Sequence, residues 1–229
     1  MTTNQQYKAL VTETVNGPLL LKDLPLNDPI DNEVQIKVLA CGICLGDQVG
    51  RVIGKKPIVS GHEVVGIITK LGKNVESMQS HLNDNDPWKF KINSKVGLGW
   101  FSGHCGGQCF NCRKGNQTGC SLANATGLSR DGGWAEFVHA RPSALCPWPD
   151  DLPVEQAPMM CAGLTVFNAV RNSRACKPGL DIIIIILCYI DISFSYSANV
   201  AVLGMGGLGT IAIPIIRAFG MNPIGKIIF

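Results

Sequence analysis

The sequence is poor in aromatic residues (7%) and in charge (16% Asp, Glu, Lys and Arg), holds only four histidines, and has no block of like charges. Its net charge of +3 is spread along the chain, and basic residues seldom stand beside aromatics, so no surface for tracking nucleic-acid phosphates is expected. The first thirty residues contain no basic segment followed by an uninterrupted apolar one, so no secretory leader is expected and a reducing, cytoplasmic compartment is. No apolar run reaches membrane length: IIIIILCYI at 182–190 is bounded by Asp181 and Asp191 and is about half of what a bilayer crossing needs. Neither nucleic acid nor membrane is therefore an expected partner. The 229 residues are 46% apolar, enough to bury the core of one large domain or two small ones.

Cysteine, by contrast, is abundant, with ten in the chain. In a reducing compartment that count favours metal, or metal together with burial, over a disulfide framework. Within HCGGQCFNCRKGNQTGC (104–120), Cys109, Cys112 and Cys120 form a C-x2-C-x7-C run, and Cys105 precedes it across a gap of three residues. Short polar knuckles let thiolates converge on one tetrahedral ion, and four protein ligands leave it no open position. The expectation is a closed structural zinc site holding a lobe too poor in apolar residues to fold alone. Scattered reduced cysteines or an iron–sulfur centre are the alternatives.

A looser set lies upstream. CGIC at 41–44 ends the alternating segment VQIKVLA, and GHEVVGII at 61–68 opens another strand-like stretch. A thiolate, an imidazole and a carboxylate at strand ends make a zinc donor set, but spacing alone leaves open that Cys44 is a small core hydrophobe and His62 a satisfied buried ring. Near the C-terminus, VAVLGMGGLGTIAIPIIRAFG (200–220) reads as strand, glycine turn and helix. Gly204 suits a tight turn, Gly206 lets backbone approach a pyrophosphate, and Gly209 lets the helix pack close to the strand, with phosphate at the helix N-terminus.

The series YKALVTE, GICLGD, GHEVVG, GLGW, the cysteine lobe, SRDGGWAEFV, MMCAGLTVFNAV and VLGMGGLG resembles the zinc-dependent, medium-chain alcohol dehydrogenases, in that order along the chain. The resemblance implies an α/β protein whose mostly β N-terminal domain (1–165) is a GroES-like, partly open β-barrel with a zinc lobe at about 104–120. An incomplete Rossmann-type fragment (166–229) follows. It implies Cys44, His62 and Cys161 as catalytic zinc ligands, Glu63 as an occasional fourth, and Asp47 as the carboxylate that orients the imidazole. Cys105, Cys109, Cys112 and Cys120 correspond to the structural zinc quartet, giving two zinc ions per chain. Gly204, Gly206, Gly207, Leu208 and Gly209 correspond to the contacts of NAD or NADP. The implied activity is hydride transfer between NAD(P) and a small alcohol or aldehyde, in a chain compatible with a homo-oligomer. The alternative is a zinc-stabilised, non-catalytic fragment or decayed dehydrogenase that serves at most as a partner-binding module.

Several positions depart from the family pattern. Gly46 stands where Ser or Thr is usual, and Leu45 where His, Arg or Gly is. The first gap of the cysteine quartet is one residue longer than usual. LDIIIIILCYIDISFSYSAN intervenes between Gly179 and Val200, an atypical insertion at about 180–199 that reads either as a translated non-coding segment, a gene-model artefact, or as an extra strand. The carboxylate expected about 20 residues beyond the glycine turn falls near Ile227 and Ile228, so the choice between NAD and NADP is unreadable. Pro214 lies inside the helix that follows the turn.

Overall fold

The structure is a computed structural model that describes residues 5–122, 124–172, 182–185 and 199–226. It divides into two compact units, Met1–Met160 and Cys161–Phe229, where the sequence reading puts the boundary between 165 and 166.

The first unit is mostly β. Strands β1 (Gln6–Thr12), β2 (Leu19–Pro25), β3 (Val34–Cys41), β4 (Ile58–Val59), β5 (Val64–Leu71), β6 (Lys95–Leu98), β7 (Phe137–Ala140) and β8 (Leu145–Pro147) form two antiparallel sheets, ordered β2-β1-β4 and β7-β3-β5-β6-β8. β3 and β5 are built on the β-branched residues that suit a pleated, buried surface, and Val34, Ile36, Val64 and Ile68 are fully buried with Val96, Leu98 and Val138. Gln35 is buried among them because its amide donates to Asn27 O (3.1 Å) and accepts from Thr69 Oγ1 (2.9 Å), so it is not an orphaned polar group. The strap 132–136 stitches the two sheets into a partly open barrel. Gly132 and Trp134 donate to Val59 and Ser60, Leu10 donates to Trp134, and Glu136 donates to Lys8 while accepting from Val38. The helices here are short: α1 (Asp47–Ile53), α2 (Val75–Met78) and α3 (Phe110–Arg113).

The second unit consists of α4 (Ala162–Asn172), β9 (Ile182–Ile185), β10 (Asn199–Leu203), α5 (Gly207–Ala218) and β11 (Asn222–Lys226). Its sheet is parallel throughout, in the order β11-β10-β9. Val200 and Val202 of β10 are covered by Val166 and Val170 of α4 and by Ala212 and Ile216 of α5. β10–α5–β11 is thus one β-α-β unit, the expected Rossmann-type opening. Of the insertion expected at about 180–199, Ile182–Ile185 and Asn199 are described; Ile182–Ile185 is a strand paired with Val200–Leu203. Helix α5 runs through the exposed Pro214, which forgoes the donor that would reach the Thr210 carbonyl, a loss worth about 3 kcal/mol in an ordinary helix interior. Ile227 and Ile228, where the ribose carboxylate is expected, lie outside the described residues.

Candidate metal and cofactor sites

The register of β3 on β5 brings two distant pieces of sequence together. Cys41 pairs with Val64, so residues 42–44 leave β3 at the same sheet end at which His62 and Glu63 enter β5, and Gly42 N–H donates to Glu63 O (2.9 Å). The ligand atoms of Cys44, His62 and Glu63 lie within 4.8 Å of one another. Two glycines permit this approach. Gly61 has φ +97°, and a Cβ there would stand 2.5 Å from Trp134; a Cβ on Gly42 would overlap the Glu63 carboxylate.

Asp47 is the hub of this cluster. Its side chain is turned inward at the start of α1 and is 2% exposed. Oδ1 lies 2.7 Å from His62 Nδ1 and accepts the Gly61 N–H (3.1 Å), while Oδ2 accepts the Cys44 N–H (2.9 Å). A carboxylate only accepts, so Nδ1 carries the proton and the Nε2 lone pair is left for a metal. Trp100, just beyond β6, sets its indole edge-to-face on the His62 ring at 4.9 Å. Sequence reasoning did not give that indole a role, although an aromatic following a buried strand end was the available signal.

Cys41, the last residue of β3, directly precedes residues 42–44. Burial above all, then the nearby Asp47 and Glu63 carboxylates, pushes its thiol up to about 12, against the opposing effect of a hydrogen bond from Glu63 N–H. It packs against Gly61 and Gly133 and is a core residue. Cys161 opens the second unit, in the turn before α4, where its carbonyl accepts from Thr165 N–H (2.9 Å).

The sulfurs of Cys105, Cys109, Cys112 and Cys120 also lie within 4.8 Å of one another, and Cys109 and Cys120 are 3.9 Å apart. A tetrahedral ion with metal–sulfur bonds of about 2.3 Å spaces its ligands by about 3.8 Å, so the quartet fits zinc. The additional residue in the first gap is absorbed by Gly106 and Gly107, with φ +71° and +95° and open space where a Cβ would stand on either. Backbone N–H groups of Cys112 and Ser121 hold the Cys109 thiol down at about 5, whereas desolvation and then the neighbouring thiols push Cys112 up to about 12. Four crowded thiols cannot all ionise unaided, and a divalent cation removes the conflict. Metal-free protein at about pH 8 should therefore be alkylated by iodoacetamide at Cys109 well before Cys41, since only the thiolate reacts. Peptide mapping after a short exposure checks this, and equal modification of the two would contradict it.

In the second unit the glycine turn follows β10. Gly204 has φ +87°, and a Cβ on Gly209 would stand 2.0 Å from the Gly204 carbonyl, so both must be glycine for the turn and for the close seat of α5. Gly206 and Gly207 face open space, and no side chain caps the N-terminus of α5. Leu208 packs against the core behind the turn. A glycine-lined, uncapped helix start suits a pyrophosphate.

The family "Alcohol dehydrogenase GroES-like domain" matches residues 30–150. The chain belongs to the medium-chain alcohol dehydrogenase family. Alcohol dehydrogenase notN of Aspergillus sp. is 32% identical over 98% of this chain and 58% of its own length. Among solved structures, a cinnamyl alcohol dehydrogenase of Sorghum bicolor is 26% identical with a TM-score of 0.72, covering 96% of this chain and 58% of that one. Acetophenone reductase of Geotrichum candidum, in complex with NAD, is 25% identical with a TM-score of 0.71, covering 98% and 59% respectively. This alcohol dehydrogenase family member spans about half the length of the curated relatives it matches. Among its described residues no helix is long and apolar enough to cross a membrane.

Proposed function

We propose that the protein is a zinc-dependent alcohol dehydrogenase or aldehyde reductase of the cytoplasm, using NAD or NADP on a small alcohol–aldehyde or alcohol–ketone pair. The observation that carries this reading is the Asp47 carboxylate tying the Cys44 backbone and the His62 ring into one donor set. Cys44, His62 and Cys161 are the proposed ligands, with Glu63 an occasional fourth, and the four-cysteine lobe takes a second zinc. A catalytic zinc supplies a Lewis acid for the substrate oxygen, and the nicotinamide supplies or takes the hydride. The chain's own part is positional. Asp47 keeps the imidazole proton on Nδ1, the Gly61 turn fixes the ring, and the buried His62–Glu63 stretch keeps water from the back of the donor set. Gly204, Gly206, Gly207, Leu208 and Gly209 form the proposed pyrophosphate seat, and a homo-oligomer is compatible with this reading.

A second reading is a zinc-stabilised module without turnover, in which the two donor sets hold metal and the barrel serves at most to bind a partner. Elemental analysis together with aldehyde-dependent oxidation of NADH and NADPH separates the two. Two zinc ions with turnover are expected. Two zinc ions without turnover would select the second reading, and folded protein without zinc would overturn both.

A further inference from the structure

The first unit holds a cavity of about 420 Å³, a size typical of small-molecule sites, and none of its lining residues belongs to either donor set. Glu33 and His139 line it where β3 begins, whereas Cys44 lies beyond the end of that strand. His139 stands opposite Gln35 in the pairing of β7 with β3. Pro25, Leu26 and Phe137 give the cavity apolar walls, and the Phe137 ring is held by an edge-to-face contact with Tyr7 at 6.0 Å.

The balance of charge around this space is the informative point. Asp28, Glu33, Lys55, Arg130 and Asp131 all line it. The buried Glu33 is held by Arg130, and Asp28 is held by Lys70 at 2.6 Å. Lys55 and Asp131 form no ion pair among the described residues, with each other or with any other group. Asp131 Oδ1 accepts the Val59 N–H (3.0 Å), which fixes the carboxylate and leaves Oδ2 available. The Lys55 N–H donates to Leu128 O (2.9 Å), so the lysine flanks the same 128–131 loop that carries Asp131. His139 does not alter the balance, because burial above all lowers its pKa and leaves the ring neutral at pH 7. The Tyr7 hydroxyl also stays protonated, raised by burial and then by the Asp131 charge. The two charges left over in the cavity are thus of opposite sign.

A lone inorganic ion would be attracted by one of these groups and repelled by the other, whereas a molecule that carries both signs satisfies the pair. We propose that the cavity binds a free α-amino acid with an apolar side chain, its ammonium on Asp131, its carboxylate on Lys55 and its side chain against Pro25, Leu26 and Phe137. The flexible four-carbon stem of Lys55 lets its ammonium close onto a ligand seated on the fixed Asp131 carboxylate. The site is independent of the metal clusters and of the proposed function, and it gives the chain a second small-molecule ligand.

The test is isothermal titration calorimetry of the full 229-residue chain, near neutral pH, with L-leucine and two analogues. L-Leucinamide lacks the carboxylate, and 4-methylpentanoate lacks the ammonium. L-Leucine is expected to bind saturably, with a millimolar or lower dissociation constant, and each analogue to bind about tenfold more weakly, the usual loss for one charge-assisted hydrogen bond. Lys55→Met should weaken L-leucine about tenfold and leave L-leucinamide unchanged, since the analogue has nothing for the lysine to hold. Asp131→Asn keeps an oxygen for the Val59 N–H and should likewise weaken L-leucine while leaving 4-methylpentanoate unchanged. Both positions are exposed and outside the barrel core, and the comparison of the three ligands on the native chain stands whether or not a variant folds. No saturation by about 10 mM L-leucine, equal affinity for all three ligands, or unchanged L-leucine binding in both variants overturns the proposal and leaves the proposed function standing.

Discussion

Replacing Asp47 by alanine is expected to weaken zinc binding at the Cys44–His62 cluster by about 100-fold while the four-cysteine lobe stays loaded, so that the protein retains one ion of two. Both oxygens of this buried carboxylate are in use, on the His62 ring, the Gly61 N–H and the Cys44 N–H. Removing them leaves buried donors unsatisfied, at about 1–3 kcal/mol each, and frees the imidazole to turn or to change tautomer. Asparagine keeps the volume but offers one acceptor oxygen in place of two, so Asp47→Asn should fall between the parent and alanine. Competition with a chromophoric chelator gives both affinities, and circular dichroism shows that the barrel is intact. Full retention of two tightly held ions in Asp47→Ala would remove the residue from any positioning role.

The other large effect is expected in the lobe. Helix α3 is four residues long and buries none of them, so little besides the quartet holds this segment in place. Structural zinc in such knuckles contributes about 10–16 kcal/mol of apparent binding energy at neutral pH. Cys112→Ser should empty the lobe and open it to trypsin at Arg113 and Lys114, with the barrel core of Val34, Ile36, Val64 and Ile68 left protected in hydrogen exchange. The pH dependence has a definite sign. Cys109, held at about 5, is already a thiolate at neutral pH, whereas Cys112, pushed up to about 12, must give up its proton to the solvent when the ion enters. Affinity at the lobe should therefore fall as pH is lowered, and resistance to trypsin should fall with it. A lobe that stays resistant in Cys112→Ser would show that zinc is not what holds it.

The parts of this protein that were legible in its sequence are those whose chemistry is local. The quartet's spacing and the glycine turn announce themselves within a score of residues, because thiolate convergence and a tight turn are short-range requirements. The irregular first gap of the quartet could be counted in the sequence, yet its remedy depends on Gly106 and Gly107 adopting left-handed conformations, which a spacing rule does not express. His62 and Cys44 were ambiguous by themselves. Their pairing depends on the register of β3 against β5, set by the buried face of a whole sheet and invisible in either segment alone. The isoleucine run was harder still. Its composition suits a strand, but nothing within it names β10 as its neighbour or makes the pairing parallel.

That pairing bears on the order in which the cofactor unit assembles. In a doubly wound sheet the strand carrying the glycine turn lies between strands two and four of the fold, so one of its two neighbours is made from chain far downstream. Here Val200 finds Ile182 on one side and Pro223 on the other, both close in sequence. Contacts at such short separations form early and quickly. The strand that presents the glycine turn can thus acquire both neighbours by the time Lys226 has been synthesised, without waiting for a distant segment to close the sheet beside it.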